Sequence, residues 1–185
     1  MTHCVIFDFD GVVAEQGFRR ALTEVSTVQG SGIAQQELAR LGMRALLKSG
    51  YVVGSGSEQH FWELFCEFSG QAALLQSGPE ALRRAILKHS QIRQQVLNLV
   101  GQLRAAGLSV ALLSDHTDWL DEIDQLYGLR HHFDHFFNSY YLRQCKRDPL
   151  VFDRVVADIG VEPSSTLFID DNPANVERAE SRGLS

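Results

Sequence analysis

The chain has 185 residues, 44% of them hydrophobic and 22% charged, with a formal net charge of −6. That balance fits one folded domain, or one domain carrying an insert, and is too apolar for a disordered chain. The acidic charge excludes the basic field that a nucleic-acid or anionic-membrane surface requires. No apolar run approaches the roughly 18 residues of a membrane span.

At the N-terminus, Met1-Thr2-His3-Cys4 lacks a basic segment leading into an apolar core, so no export signal is expected. Cys4, Cys66 and Cys145 are odd in number and too widely spaced for a zinc or disulfide pattern. Both features suit a reducing cytoplasm.

Val5-Ile6-Phe7 is a continuous apolar run that ends abruptly at Asp8. Val110-Ala111-Leu112-Leu113 ends in the same way at Ser114, and Leu167-Phe168-Ile169 at Asp170. Continuous apolarity predicts strands covered on both faces, as in a parallel sheet. Phe136-Phe137, reading into Asn138-Ser139, is a weaker strand candidate. Residues 14–90 differ. Phe18, Leu22 and Val25, then Leu38, Leu41 and Ala45, then Phe61, Phe65 and Phe68 recur at helical spacing, with no convincing strand among them. A block of this length is far longer than an ordinary crossover and reads as a separate helical insert. The helical spacing of Phe61, Trp62 and Phe65 assigns them to packing within it rather than to a pocket.

Beyond the insert, Ile92, Val96, Leu99, Val100 and Leu103 predict a helix that Gly107 stops. Residues 119–127 and 150–159 are further helix candidates. Asn172-Pro173 reads as an N-cap and first-turn proline, opening a helix that Gly183 closes. The order predicts a doubly wound, Rossmann-like α/β parallel sheet, residues 1–13 and 91–185, with a helical cap, 14–90, inserted after the first strand.

The main chemical signal is Phe7-Asp8-Phe9-Asp10-Gly11. It places Asp8 and Asp10 just past a strand's C-terminal end, where open α/β sheets bind ligands. Extended-chain alternation puts both carboxylates on one side, and two so close repel unless a cation or shared proton intervenes. Asp170-Asp171 ends another apolar run in the same manner. The four carboxylates supply hard oxygen suited to Mg²⁺. Ser114, Asp115 and Lys146 are the candidate phosphate-binding residues, through the serine hydroxyl, the main-chain N–H groups that follow it and the lysine's charge. His116, His131, His132 and His135 fit no zinc spacing and are read as surface or structural residues.

Taken in order, these pieces resemble the haloacid dehalogenase superfamily. Asp8-Phe9-Asp10-Gly11-Val12 matches its first motif, Leu113-Ser114 the second, Lys146 with Val151-Phe152 the third and Asp170-Asp171 the fourth. The insert is similar to the family's small helical cap, and the chain most resembles bacterial sugar-phosphate phosphatases. The resemblance implies a Mg²⁺-dependent phosphatase acting on a small phosphorylated metabolite, plausibly a sugar phosphate. It implies Asp8 as the nucleophile that carries the phosphoryl group and Asp10 as the acid–base. Asp8, the Asp10 carbonyl and Asp171 would hold the metal, with Asp170 acting through water. It calls for a raised pKa at Asp10 and a lowered one at Asp8. Alternatives are a phosphoglucomutase-type phosphotransferase and a catalytically weak binding protein on the same scaffold. Dehalogenation is disfavoured, because the founding dehalogenases carry an aromatic residue where this chain has Asp10.

Three features depart from the family pattern. Asp115 stands where the second motif usually has Asn. Facing a phosphate at 4 Å, its charge would cost about 4 kcal/mol, so it is expected to be protonated, turned away or paired with a cation. Arg147 stands where a proline usually follows the lysine. Family members also continue into a further strand beside the fourth-motif strand, which would otherwise form an exposed edge.

Overall fold

The computed structural model describes residues 2–28, 30 and 32–185. Strands β1 (Cys4–Phe7), β2 (Ser109–Ser114), β3 (His135–Asn138) and β4 (Thr166–Ile169) form one parallel sheet in the order β3-β2-β1-β4. The helices are α1 (Gly17–Val28), α2 (Gln35–Ser49), α3 (Glu58–Ser69), α4 (Pro79–His89), α5 (Gln94–Ala105), α6 (Trp119–Tyr127), α7 (Ser139–Leu142), α8 (Leu150–Ile159) and α9 (Pro173–Glu180).

Side-chain alternation explains why the strand runs are apolar at every position. Val5, Phe7, Val110 and Leu112 pack on one face with Leu97 and Val100 of α5 and Leu120 and Ile123 of α6. Cys4, Ile6, Ala111 and Leu113 pack on the other with Val151, Phe152 and Val155 of α8 and Ala179 of α9. This three-layer sandwich is the doubly wound α/β core expected from the sequence. The weak strand candidate is real: Phe137 and Asn138 pair with Leu113 and Ser114. The Asn172 side chain caps α9 by accepting from the Ala174 N–H at 3.1 Å. That helix ends at Glu180 rather than running on to Gly183, whose left-handed φ of 88° lets the Leu184 N–H fold back onto the Ala179 carbonyl.

Helices α1–α4 build a second hydrophobic core from Leu22, Leu38, Leu41, Phe61, Trp62, Phe65 and Ile86. Phe61, Trp62 and Phe65 are all buried, in line with their spacing. The chain enters and leaves this bundle side by side, with the Glu15 N–H donating to the Gln91 carbonyl and the Arg93 N–H to that of Val13. One side chain from the sheet layer completes the bundle core. Trp119, at the start of α6, is 1% exposed and stands edge-on to Tyr51 and Phe61. Its Nε1 donates to Glu58 at 3.1 Å. Around it, the Tyr51 hydroxyl donates to Asp118, Arg83 pairs with Glu122 at 2.6 Å, and the Ser139 hydroxyl donates to the Val52 carbonyl at 2.7 Å.

At the β4 edge, Ser185 runs alongside the strand. Its N–H donates to the Thr166 carbonyl at 3.0 Å, and its carbonyl accepts from the Phe168 N–H at 2.8 Å. No helix among the described residues is long and apolar enough to cross a membrane. Because Trp119 fills the bundle core from the sheet side, Trp119→Ala should destabilise the fold by about 3–5 kcal/mol. The check is a lowered midpoint in chemical denaturation.

Candidate active site

β1 and β4 pair in register, with Phe7 opposite Ile169, so Asp8 and Asp170 leave the sheet side by side at its C-terminal end. The strand order reverses here, at the crevice where doubly wound sheets take ligands. Lys146, on the segment between α7 and α8, reaches into the same spot and is 1% exposed. Its Nζ lies 2.6 Å from Asp8 Oδ1 and 2.6 Å from Asp170 Oδ2. Asp170 is fixed from behind by the Asn172 N–H at 2.8 Å and by Asn175 Nδ2 at 3.0 and 3.2 Å. Asp171 is exposed and accepts from Gln16 Nε2 at 2.7 Å. Carboxylate oxygens of Asp8, Asp170 and Asp171 all lie within 4.8 Å of one another.

Gly11 makes this approach possible. It adopts φ 89°, and a Cβ there would fall 2.2 Å from Asp171 Oδ2. Glycine therefore serves both the left-handed backbone and the close passage of the carboxylate. Its carbonyl accepts from Arg93 Nη1 at 2.5 Å, tying the turn after Asp8 to the returning chain. Asp10 stands beside this turn, and its Oδ1 is buried with no hydrogen-bond partner among the described residues. His116 is buried, edge-on to Phe9 with ring centroids 5.8 Å apart.

Ser114 ends β2 and is 2% exposed. The Asp115 carboxylate accepts from the main-chain N–H of Lys146 at 2.9 and 3.1 Å. The expectation for position 115 concerned its main-chain N–H; the side chain is engaged on the lysine's backbone. Of the expected ways to tolerate the acid, burial raises its pKa toward the protonated form, while the charges of Lys146 and Arg147 oppose that rise. Of the residues expected at the site, the structure brings Asp8, Asp170, Asp171 and Lys146 together. The reading missed Asn175, Gln16 and Arg93, and it left His116 as structural. Asn175 carried a faint signal, lying three residues past the Asn172 cap. Gln16 and Arg93 carried none: Gln16 meets Asp171 because β4 lies beside β1, and Arg93 meets Gly11 because the insert returns beside its start.

The electrostatics follow from the count of charges. Asp8, Asp10, Asp115, Asp170 and Asp171 gather around one ammonium, that of Lys146. Burial pushes the Asp8 carboxyl up to about 7, Asp170 adds to the rise, and Lys146 only partly opposes it. Asp10 and Asp115 are raised chiefly by burial. Burial pulls Lys146 down, but Asp8, Asp115 and Asp170 outweigh it and keep the amine charged. The His116 imidazole is lowered by burial, against the pull of Asp10, and is neutral near pH 7. The expected split therefore holds for Asp10 but not for Asp8, where burial outweighs Lys146. The donor set fits a hard divalent cation, being all oxygen and carrying more negative charge than Lys146 offsets.

A carboxylate whose folded pKa is raised binds its proton more tightly in the folded state. Stability is then lost as pH rises from its unfolded pKa near 4 toward its folded one, for Asp8 about 7. His116, with a lowered pKa, opposes this trend, as do Glu15, Glu24 and Glu37, whose lowered values act mainly below about pH 5. In EDTA the protein should melt at a lower temperature at pH 7.5 than at pH 5. Asp8→Asn should shrink that difference in a thermal-shift titration.

Residues 2–181 match the family model of the haloacid dehalogenase-like hydrolases. The chain is similar to acyl-CoA dehydrogenase family member 10 of Mus musculus, 28% identical over 188 residues, covering 97% of this chain and 17% of that protein. It thus spans about a sixth of that curated relative's length. Among solved structures, it resembles a HAD family enzyme from Bacteroides thetaiotaomicron in complex with magnesium and inorganic phosphate. The TM-score is 0.78 and the identity 22%, covering 100% of this chain and 92% of that one. It also resembles L-2-haloacid dehalogenase from Xanthobacter autotrophicus with chloropropionic acid covalently bound. There the TM-score is 0.73 and the identity 19%, covering 100% and 76%. On the family match, with this fold and this cluster of acids around a buried lysine, the chain belongs to the haloacid dehalogenase-like hydrolases.

Proposed function

We propose that the protein is a Mg²⁺-dependent phosphatase hydrolysing a small phosphorylated metabolite, with residues 14–90 serving as the cap over its site. The observation that carries this reading is the convergence of Asp8, Asp170 and Asp171 within 4.8 Å, with Lys146 bridging the first two. A Mg²⁺ ion held by Asp8, Asp171 and the Asp10 main-chain carbonyl, with Asp170 acting through water, would supply charge neutralisation for the transferring phosphoryl group. The magnesium and phosphate bound to the Bacteroides relative are in keeping with this.

The chain's own residues account for the remaining steps. An Asp8 oxygen attacks phosphorus, the bond to the leaving oxygen breaks, and Asp10 delivers its proton to that oxygen. The raised pKa of Asp10 keeps this proton available. Asp10 then takes a proton from water, the hydroxide attacks phosphorus, and the aspartyl–phosphorus bond breaks to regenerate Asp8 and release phosphate. Ser114 and Lys146 hold phosphoryl oxygens, and Lys146 offsets charge on Asp8 between turnovers. An acid at position 10, rather than an apolar ring, favours phosphoryl transfer over carbon–halogen cleavage. Free thiols at Cys4, Cys66 and Cys145 suit a cytoplasmic setting.

The test is hydrolysis of p-nitrophenyl phosphate and a panel of sugar phosphates with Mg²⁺. EDTA should abolish turnover, and Asp8→Asn should lower kcat by about 10³-fold or more. Folded protein that turns over nothing in the panel contradicts the reading. Gly11→Ala, by pushing Asp171 aside, should raise the Mg²⁺ concentration for half-maximal activity by roughly 10–100-fold. A Mg²⁺ titration of the rate measures this.

A further inference from the structure

On a chain of net charge −6, one groove is lined by four cationic and two apolar side chains. Its volume is about 620 Å³, and it is lined by Arg40, Met43, Arg44, Leu47 and Lys48 of α2 and by Arg147 of the sheet layer. No acid lines it. Arg40, Arg44 and Lys48 follow one another at one-turn spacing, so three cations share a face of α2, an arrangement that costs helix stability through like-charge repulsion. Glu37 neutralises Arg40 at 2.6 Å. None of the ion pairs among the described residues involves Arg44, Lys48 or Arg147.

These charges are held in place rather than left to wander. The Arg44 guanidinium sits 4.3 Å from the Phe68 ring centroid and the Lys48 ammonium 5.3 Å from the same centroid. Cation–π contact to one ring fixes two heads near each other and reduces the ordering cost of binding an anion. Arg147 directly follows Lys146, whose Nζ touches Asp8, so one wall of the groove is a single residue along the chain from the catalytic cluster. Met43 and Leu47 add apolar surface suited to a carbon skeleton.

We propose that this groove receives a second anionic group of the substrate, making the preferred substrates phosphomonoesters whose leaving group carries a carboxylate or another phosphate. The guanidinium forks of Arg44 and Arg147 suit either group, since both present paired oxygens. The proposal rests on the phosphatase reading for the first phosphate but is tested apart from it.

The test is equilibrium titration of the Asp8→Asn protein with Mg²⁺, using two matched pairs of probes. One pair is 3-phosphoglycerate against glycerol 3-phosphate, which differ by a carboxylate. The other is fructose 1,6-bisphosphate against fructose 6-phosphate, which differ by a phosphate. At least one doubly anionic probe should bind about tenfold or more tightly than its partner. Which pair shows the preference identifies the second group. Arg44→Gln/Lys48→Gln should reduce it to about threefold or less, as should raising NaCl to about 1 M, where the Debye length is near 3 Å. Arg147→Gln, made on the other wall, should reduce it too and serves if the double variant misfolds. Equal affinity within both pairs, no binding of any probe, or a preference that survives both substitutions overturns the proposal. A preference without p-nitrophenyl phosphate turnover in the Asp8 protein would sink the phosphatase reading and leave the groove standing. Turnover without a preference would do the reverse.

Discussion

The site is organised by a buried ammonium between two carboxylates. Lys146 Nζ meets Asp8 and Asp170 at 2.6 Å each, with almost no solvent reaching it. Removing an amine from water is costly, and only close, well-placed partners compensate. The fold supplies them by setting β1 and β4 in register, so that neighbouring strand ends release Asp8 and Asp170 toward the same point. Asp115 then fixes the lysine's own backbone, and Asn175 and the Asn172 N–H fix Asp170. The arrangement remains short of positive charge, which is why the Asp8 carboxyl is pushed up to about 7. That imbalance makes a divalent cation the natural complement of these side chains.

The helical bundle is joined to the sheet layer by more than its two connecting segments. Trp119 lies in the bundle's hydrophobic core while belonging to a helix of the sheet layer, and polar contacts from Tyr51, Glu58, Arg83 and Val52 surround it. Elsewhere between the two layers, side chains of α2 and Arg147 line the basic groove. One element order thus serves both ends of the proposed substrate. In that reading, strand ends would hold the reacting phosphorus and an inserted helix would meet what is attached to it.

Much of this was legible because the physics was local. Runs of apolar residues stopped by Asp or Ser located β1, β2 and β4, since a strand buried on both faces must be apolar throughout. The Asn172-Pro173 cap located α9, and helical spacing separated the packing role of Phe61, Trp62 and Phe65 from a binding one. What escaped was non-local. Arg93 reaches the site only because the chain returns from the insert beside the point where it left, and Gln16 only because β4 sets Asp171 next to it. His116 could be placed next to Asp10 only once the loop after β2 was folded. Asp115, which threatened an anionic substrate on paper, has its carboxylate engaged by the Lys146 main-chain N–H, a contact no local pattern announces. The mismatch at Asp8 is equally physical. The implied mechanism describes a site with its cation bound, whereas side chains alone leave burial in command.

The most direct measurement is a crystal structure of the protein soaked with Mg²⁺ and beryllium fluoride, a mimic of a phosphoryl group. The expected result is a BeF₃⁻ group bonded to an Asp8 oxygen, with Mg²⁺ held by Asp8, Asp171 and the Asp10 carbonyl and with Lys146 against a fluorine. Beryllium fluoride bound away from Asp8, or a metal ion sited outside the cluster of Asp8, Asp170 and Asp171, would contradict the central claim.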